Sequence, residues 1–282
     1  MKYKNREPIL KEVVENGVLF LTYPKLEETG MVKHGFSTRI GGVSEGIFAS
    51  MNLSFSRGDD DEKVRENFSR MAKALEVEPD SFVFSQQTHT TNVRKVTLAD
   101  KGKGVTKPLD YRDVDGLITN VPGLCLTTFY ADCVPLFFVD PVHRAIGLSH
   151  SGWRGTVGKM GQVTLRQMQE EYGTCPADVI VAIGPSICQD CYEVSEDVIL
   201  EFQRAFDEKY WDSLYYKKES GKYQLDLWRA NEIVLEEAGV GKEQIAVTNV
   251  CTSCNSEVLF SHRASNGRRG NLAAFLALKQ EE

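Results

Sequence analysis

Apolar residues recur with a helical period between positions 61 and 76, where Val64, Phe68, Met71 and Leu75 are spaced by four, three and four. That spacing puts them on one stripe, and the acidic cluster Asp59 to Asp61 suits a helix N-terminus, so a packing helix is predicted there. Val157, Met160, Thr164, Met168 and Tyr172 repeat the pattern and are closed by Gly173, predicting a second amphipathic helix. Further helices are expected around Val198, Phe202 and Phe206, over 227–238, and at the C-terminal "NLAAFLALKQ".

Between these lie strand patterns. "SFVFSQQTHT" reads as a strand running into polar residues at His89, and "LCLTTFYADCVPLFFVD" and "RAIGLSHSG" supply more. Strands and helices do not alternate as regular βαβ units, and no G-x-G-x-x-G opens a helix after a strand. The expected class is α+β with mixed sheets. No repeat, low-complexity tract or linker interrupts the chain, so residues 1–282 are expected to form a single domain.

The turn "DPVH" joins two of these strands. A two-residue loop at Pro141-Val142 would set Cys133 directly opposite His150, with Cβ atoms about 5 Å apart on one face. Pro135 cannot donate to a ladder, so its strand is expected at an edge, or pairing starts just after Cys133. A thiolate and an imidazole suit zinc, or a nucleophile beside its base. A catalytic zinc normally takes three protein ligands, so a third must come from elsewhere. Of His34, His89, His143 and His262, His89 is the first choice, because it leaves its strand in a polar segment. The plainer alternative is a packed cysteine and a hydrogen-bonded histidine.

Composition narrows the partners. With 33 basic against 40 acidic residues the net charge is −7, and no basic run interleaved with aromatics points to nucleic acid. The charged N-terminus lacks a signal-peptide core and no apolar stretch is long enough to span a membrane, so a cytoplasmic location is expected. Seven cysteines in a chain of this size are expected to be reduced, buried or metal-bound.

Other groups carry candidate chemistry. Asp132 adjoins Cys133 but would face the opposite way along a strand, as a possible catalytic or supporting carboxylate. "HSGWRGTVG" leads from strand to helix, where Arg154 could bind phosphate or carboxylate. Ser37 and Arg39 precede a glycine turn in "HGFSTRIGGVSEG" and are similar anion candidates. The pairs Cys188/Cys191 and Cys251/Cys254 could form a four-thiolate zinc site. Their separation is longer than a zinc ribbon normally uses, so packed reduced cysteines are expected, with a second zinc or a redox pair as alternatives.

Taken together, "HGFSTRIGGVS", "QQTHT", "ADCVPLFFVDP", "HSGWRGT", "GPSICQDCYEV" and "CTSC…FSHR" resemble the YlmD/YfiH-type laccase-domain family, also called polyphenol oxidase-like. The resemblance spans residues 34 to 275 in the family's order. It implies a layered α/β/β/α sandwich and a catalytic zinc on His89, Cys133 and His150, with copper as an alternative ion. It also implies phosphorolysis of adenosine, inosine, guanosine and methylthioadenosine to base and ribose 1-phosphate, with adenosine deamination as a second activity. Arg39 and Arg154 are then the phosphate candidates, Asp132 a candidate acid, and the protein a monomer or homodimer. Relatives usually carry "TGR" before the last helix, where this chain reads Arg269-Gly270-Asn271, so Arg268 or Arg269 would replace that arginine. Five histidines without an H-x-H pair cannot build the imidazole-rich sites of a multicopper laccase. Two rivals stand beside this reading: a metal-free cysteine hydrolase using Cys133 and His150, and a zinc-bound module without turnover.

Overall fold

The computed structural model describes residues 1–5 and 9–280. Its strands are β1 (Lys11–Glu15), β2 (Val18–Thr22), β3 (Val32–Ser37), β4 (Phe82–Phe84), β5 (Val93–Lys95), β6 (Gly116–Thr119), β7 (Cys125–Tyr130), β8 (Val134–Asp140), β9 (Ala145–Ser151), β10 (Ile180–Ile183), β11 (Glu193–Val194), β12 (Tyr215–Lys217), β13 (Tyr223–Leu225), β14 (Ile245–Val247) and β15 (Leu272–Leu278). The helices are α1 (Pro24–Glu27), α2 (Asp61–Leu75), α3 (Trp153–Val157), α4 (Met160–Tyr172), α5 (Glu196–Ala205), α6 (Trp211–Leu214) and α7 (Leu227–Glu237).

Two six-stranded sheets face each other, ordered β1-β2-β3-β15-β7-β4 and β14-β10-β8-β9-β6-β5. Alternation along each strand splits the core into layers. On β8, Phe137 and Val139 point between the sheets, packing with Phe36, Tyr130 and Leu276, while Leu136 and Phe138 point outward against α4 and α7. On the far side α2 lays Val64, Phe68 and Met71 on Phe82 and Phe275. The order is therefore helix, sheet, sheet, helix, the mixed α+β sandwich that was expected.

Helix α2 forms where its periodicity placed it. The Asp60 side chain caps it by accepting from the Glu62 N–H at 2.9 Å, and Glu76 ends it in the left-handed conformation. The stretch expected as one helix from Val157 is two, because Lys159 adopts φ 59° between α3 and α4. The C-terminal "NLAAFLALKQ" is not a helix: Leu272–Leu278 is the central strand β15, buried at all seven positions between β3 and β7. Burial on both faces removes any alternation, and tertiary pairing overrides the helix propensity of Ala and Leu.

The β8–β9 hairpin also differs. Asp140 pairs with Ala145 across a four-residue loop, so Pro135, not Cys133, lies opposite His150. Asp140 Oδ1 accepts from the Val142 and His143 N–H groups at 2.9 and 3.0 Å, a local turn that competes with the tighter hairpin. The shift is two residues, so Cys133 and His150 keep the same face. Of the two expectations for Pro135 the edge fails, since β8 lies between β10 and β9, and the other holds, since pairing starts at Val134, just after Cys133.

Candidate metal centre and cavity

His150 is the sixth residue of β9 and shares the parity of Ile146 and Leu148, which fill the space between the sheets. Cys133 immediately precedes β8 and packs on that same inter-sheet core. Both side chains therefore reach the open end of the inter-sheet space. His89 arrives from the loop after β4 with its backbone at φ 66°, in the left-handed region where a histidine needs outside support. The ligand atoms of His89, Cys133 and His150 all lie within 4.8 Å of one another.

Asp115, just before β6, supplies that support. Its fully buried carboxylate accepts the N–H groups of Thr88, His89 and Thr90 at 3.0, 3.1 and 3.0 Å, fixing the loop that presents His89. The same carboxylate meets His150 Nδ1 at 2.8 Å. Nδ1 is thereby committed and Nε2 is left for a ligand, the usual carboxylate–histidine arrangement behind a metal. The sequence reading missed Asp115; a carboxylate beside a strand in "DVDG" was the only local signal.

Electrostatics bind the group further. Burial pushes the Cys133 thiol up, but the His150 charge and hydrogen bonds from His150 and His89 overcome it and bring the pKa down to about 6. Burial pulls His150 down, yet Cys133 and Asp115 raise it to about 9. Gly152 closes the group from behind. A Cβ there would stand 3.1 Å from both Cys133 Sγ and His89 Cδ2, so the smallest residue sits where the three candidate ligands converge.

Two other histidines, His34 and His143, have different work. Buried His34 accepts from the Tyr23 N–H at 2.8 Å, and burial holds its pKa near 4. His143 pairs with Asp140 at 2.9 Å in the distant hairpin turn.

His89, Cys133 and His150 line a cavity of about 620 Å³, together with Arg57, Arg65, Lys107, Arg269, Asn271 and the rings of Phe55, Phe84, Phe129 and Tyr130. The remaining sequence candidates do not line it. Ser37 is buried on β3 and accepts from the Ala273 N–H at 2.9 Å. Arg39 bonds the carbonyls of Ala49 and Ser256 at 2.7 and 3.0 Å, stacks on Phe260, and borders a separate cavity of about 190 Å³ that it shares with Arg268 and Arg269. Arg154 is exposed and lies over the Trp153 ring.

Asp132 is not on a strand at all. It turns at φ 92° between β7 and β8, and its carboxylate accepts from Thr252 Oγ1 and the Arg263 N–H, both at 2.7 Å. Arg269, by contrast, lies on the cavity wall, where its Nη1 donates to the Gly270 carbonyl at 3.2 Å and to Asn271 Oδ1 while its buried Nε has no partner. Burial, and then the Arg57 charge, lower its pKa to about 10.

Known proteins share this arrangement of chain. Residues 33–279 match the family described as multi-copper polyphenol oxidoreductase laccase. The purine nucleoside phosphorylase YlmD of Bacillus subtilis is 37% identical over 247 residues, 87% of this chain and 88% of that protein. The crystal structure of YlmD from Geobacillus stearothermophilus superposes with a TM-score of 0.89 at 34% identity, covering 97% of this chain and all of the other. That of Bacillus licheniformis YfiH gives 0.89 at 33% identity, covering 95% and 99%. By motif, fold and extent of match, the chain belongs to the YlmD/YfiH-type laccase-domain family.

Proposed function

We propose that the protein is a metal-dependent purine nucleoside phosphorylase, with adenosine deamination as a second activity of the same cavity. One observation carries the reading: a single cavity of about 620 Å³ joins the His89, Cys133 and His150 cluster to the cationic wall of Arg57 and Arg269. Its volume falls in the range that encloses small ligands. Relatives bearing the phosphorylase name match this chain over most of both lengths, which supports the same reading.

His89, Cys133 and His150 would hold the ion, and two imidazoles with one thiolate suit zinc first and copper second. When bound, it supplies Lewis acidity at the cavity end, in an incomplete shell of three protein ligands. Asp115 keeps His150 in the tautomer that leaves Nε2 free. Arg57 and Arg269 would bind phosphate, because two neighbouring cations, one with an unused buried N–H, are relieved by an anion between them. Phe55, Phe84 and Phe129 offer flat apolar surface to a purine.

In phosphorolysis a phosphate oxygen bonds to ribose C1′ as the bond from C1′ to purine N9 breaks. The purine leaves with the electron pair and gains a proton. The chain contributes by holding the phosphate in line with that bond. Asp132 is given no role in this reading, because its carboxylate is engaged by Thr252 and Arg263 in the turn before Cys133.

Incubation with inosine or adenosine, with and without phosphate, followed by chromatography, tests the proposal. Phosphate-dependent base and ribose 1-phosphate are expected, with phosphate-independent inosine from adenosine. Absence of base from every purine nucleoside would refute the phosphorylase reading and favour a module without turnover.

The thiol brought to about 6 beside His150, itself backed by Asp115, supports a second reading as a cysteine hydrolase. Chelation separates the two, since a nucleophilic cysteine needs no ion.

A further inference from the structure

A second cluster lies outside this cavity. Strands β10 and β14 are parallel neighbours, with Val181 beside Ile245 and Ile183 beside Val247. Parallel pairing sends both chains out at the same sheet end, and the two emerging loops stay together through a bridge between Ser186 and Cys251. Cys188 and Cys191 ride on the first loop, Cys251 and Cys254 on the second. The long sequence between the pairs is the crossover through β11 to β13 and α5 to α7, so their separation along the chain does not weigh against a shared site.

All four Sγ atoms lie within 4.8 Å of one another, and Cys191 Sγ is 3.5 Å from Cys254 Sγ. Zinc–sulfur bonds of about 2.3 Å imply tetrahedral edges of about 3.8 Å, so these thiols already have nearly the required spacing. The 3.5 Å contact is far beyond a disulfide bond of about 2.04 Å. The Cys188 and Cys254 N–H groups both point at Cys251 Sγ, at 3.3 and 3.4 Å. A thiol packed as a small hydrophobe has no need of two donors, whereas a thiolate that keeps negative charge in a complex does.

We propose that Cys188, Cys191, Cys251 and Cys254 form a closed structural site for one thiophilic divalent cation such as zinc. Protein ligands fill all four corners, so the site does no chemistry of its own. Its work is to tie the loop after β10 to the loop after β14. The second loop carries Thr252 and Arg263, whose bonds to Asp132 fix the turn preceding Cys133. The cation therefore anchors one wall of the catalytic cluster from outside it.

The test uses full-length His150→Ala protein purified under reducing conditions with zinc, which disables the other cluster and leaves the four cysteines intact. About one equivalent of zinc per chain is expected to remain. Substitution with cobalt should give thiolate-to-cobalt charge-transfer bands and intense tetrahedral d–d absorption. Cys188, Cys191, Cys251 and Cys254 should resist alkylation until a strong chelator is added, as mapped by mass spectrometry. Metal-free protein, a cobalt spectrum without thiolate bands, or a mapped disulfide among the four would overturn the site. Because Cys188→Ser can fail to fold, wild-type alkylation with and without chelator is the second measurement: unprotected thiols in zinc-loaded protein contradict the proposal.

Discussion

Asp115 Oδ1 lies 2.8 Å from His150 Nδ1 while its backbone carbonyl takes the His150 N–H at 2.7 Å, so one residue grips the histidine at both ring and main chain. The same carboxylate holds the backbone of His89. Two candidate ligands separated by 61 positions in the chain thus share one anchor.

Asp115→Asn keeps one acceptor oxygen but cannot serve the Thr88, His89 and Thr90 donors as well as His150. Affinity for zinc is expected to fall roughly 10- to 100-fold, measured by competition with a chromogenic chelator. An unchanged affinity would remove Asp115 from the support of the site.

Gly152 has φ −71°, a backbone any residue accepts, so Gly152→Ala tests space alone. The added methyl would press on Cys133 Sγ and His89 Cδ2 at 3.1 Å. Weaker metal binding with little change in melting temperature is the expected outcome. Calorimetric titration with zinc and a thermal melt check both halves.

In the metal-free protein the Cys133 pKa of about 6 and the His150 pKa of about 9 make a thiolate–imidazolium pair near neutrality. Cys133 thus binds metal without losing a proton above pH about 6, while His150 must lose one below pH about 9. This cluster should release about one proton per zinc at pH 7 to 8, and its affinity should rise with pH until about 9. Zinc calorimetry in buffers of different ionisation enthalpy, with the four-cysteine cluster already filled, reads the number directly.

How much of this was legible depended on whether the signal was local. Helix α2 could be read because periodicity and the Asp60 cap agree within one segment. The direct opposition of Cys133 and His150 failed by a register of two residues, but their shared face held, because such a slip leaves every side chain on its face. β15 was misread because a strand buried on both faces has no period to show, and its Leu and Ala favour a helix in isolation. Asp115 owes its place to bonds with the 88–90 loop and His150, and Arg57 lines the cavity only because the fold brings its loop there. Arg39 looked like an anion ligand in its glycine-rich setting, but its guanidinium spends its bonds on Ala49 and Ser256.

That difference gives a paired prediction. Arg269→Ala should raise the KM for phosphate with much less effect on the nucleoside, since Arg269 lines the cavity. Arg39→Ala should leave the phosphate KM near wild type and instead cost about 2 kcal/mol of stability, by loss of charge-assisted bonds to two carbonyls. Steady-state kinetics with varied phosphate and urea unfolding of both variants decide it.

The most direct test follows phosphate-dependent release of hypoxanthine from inosine by wild-type enzyme before chelation, after chelation and after zinc is restored, with His150→Ala alongside. Loss and recovery of turnover in the wild type, with none in the variant, is the predicted result. Full turnover after the ion has been stripped from His89, Cys133 and His150, as verified by elemental analysis, would contradict it.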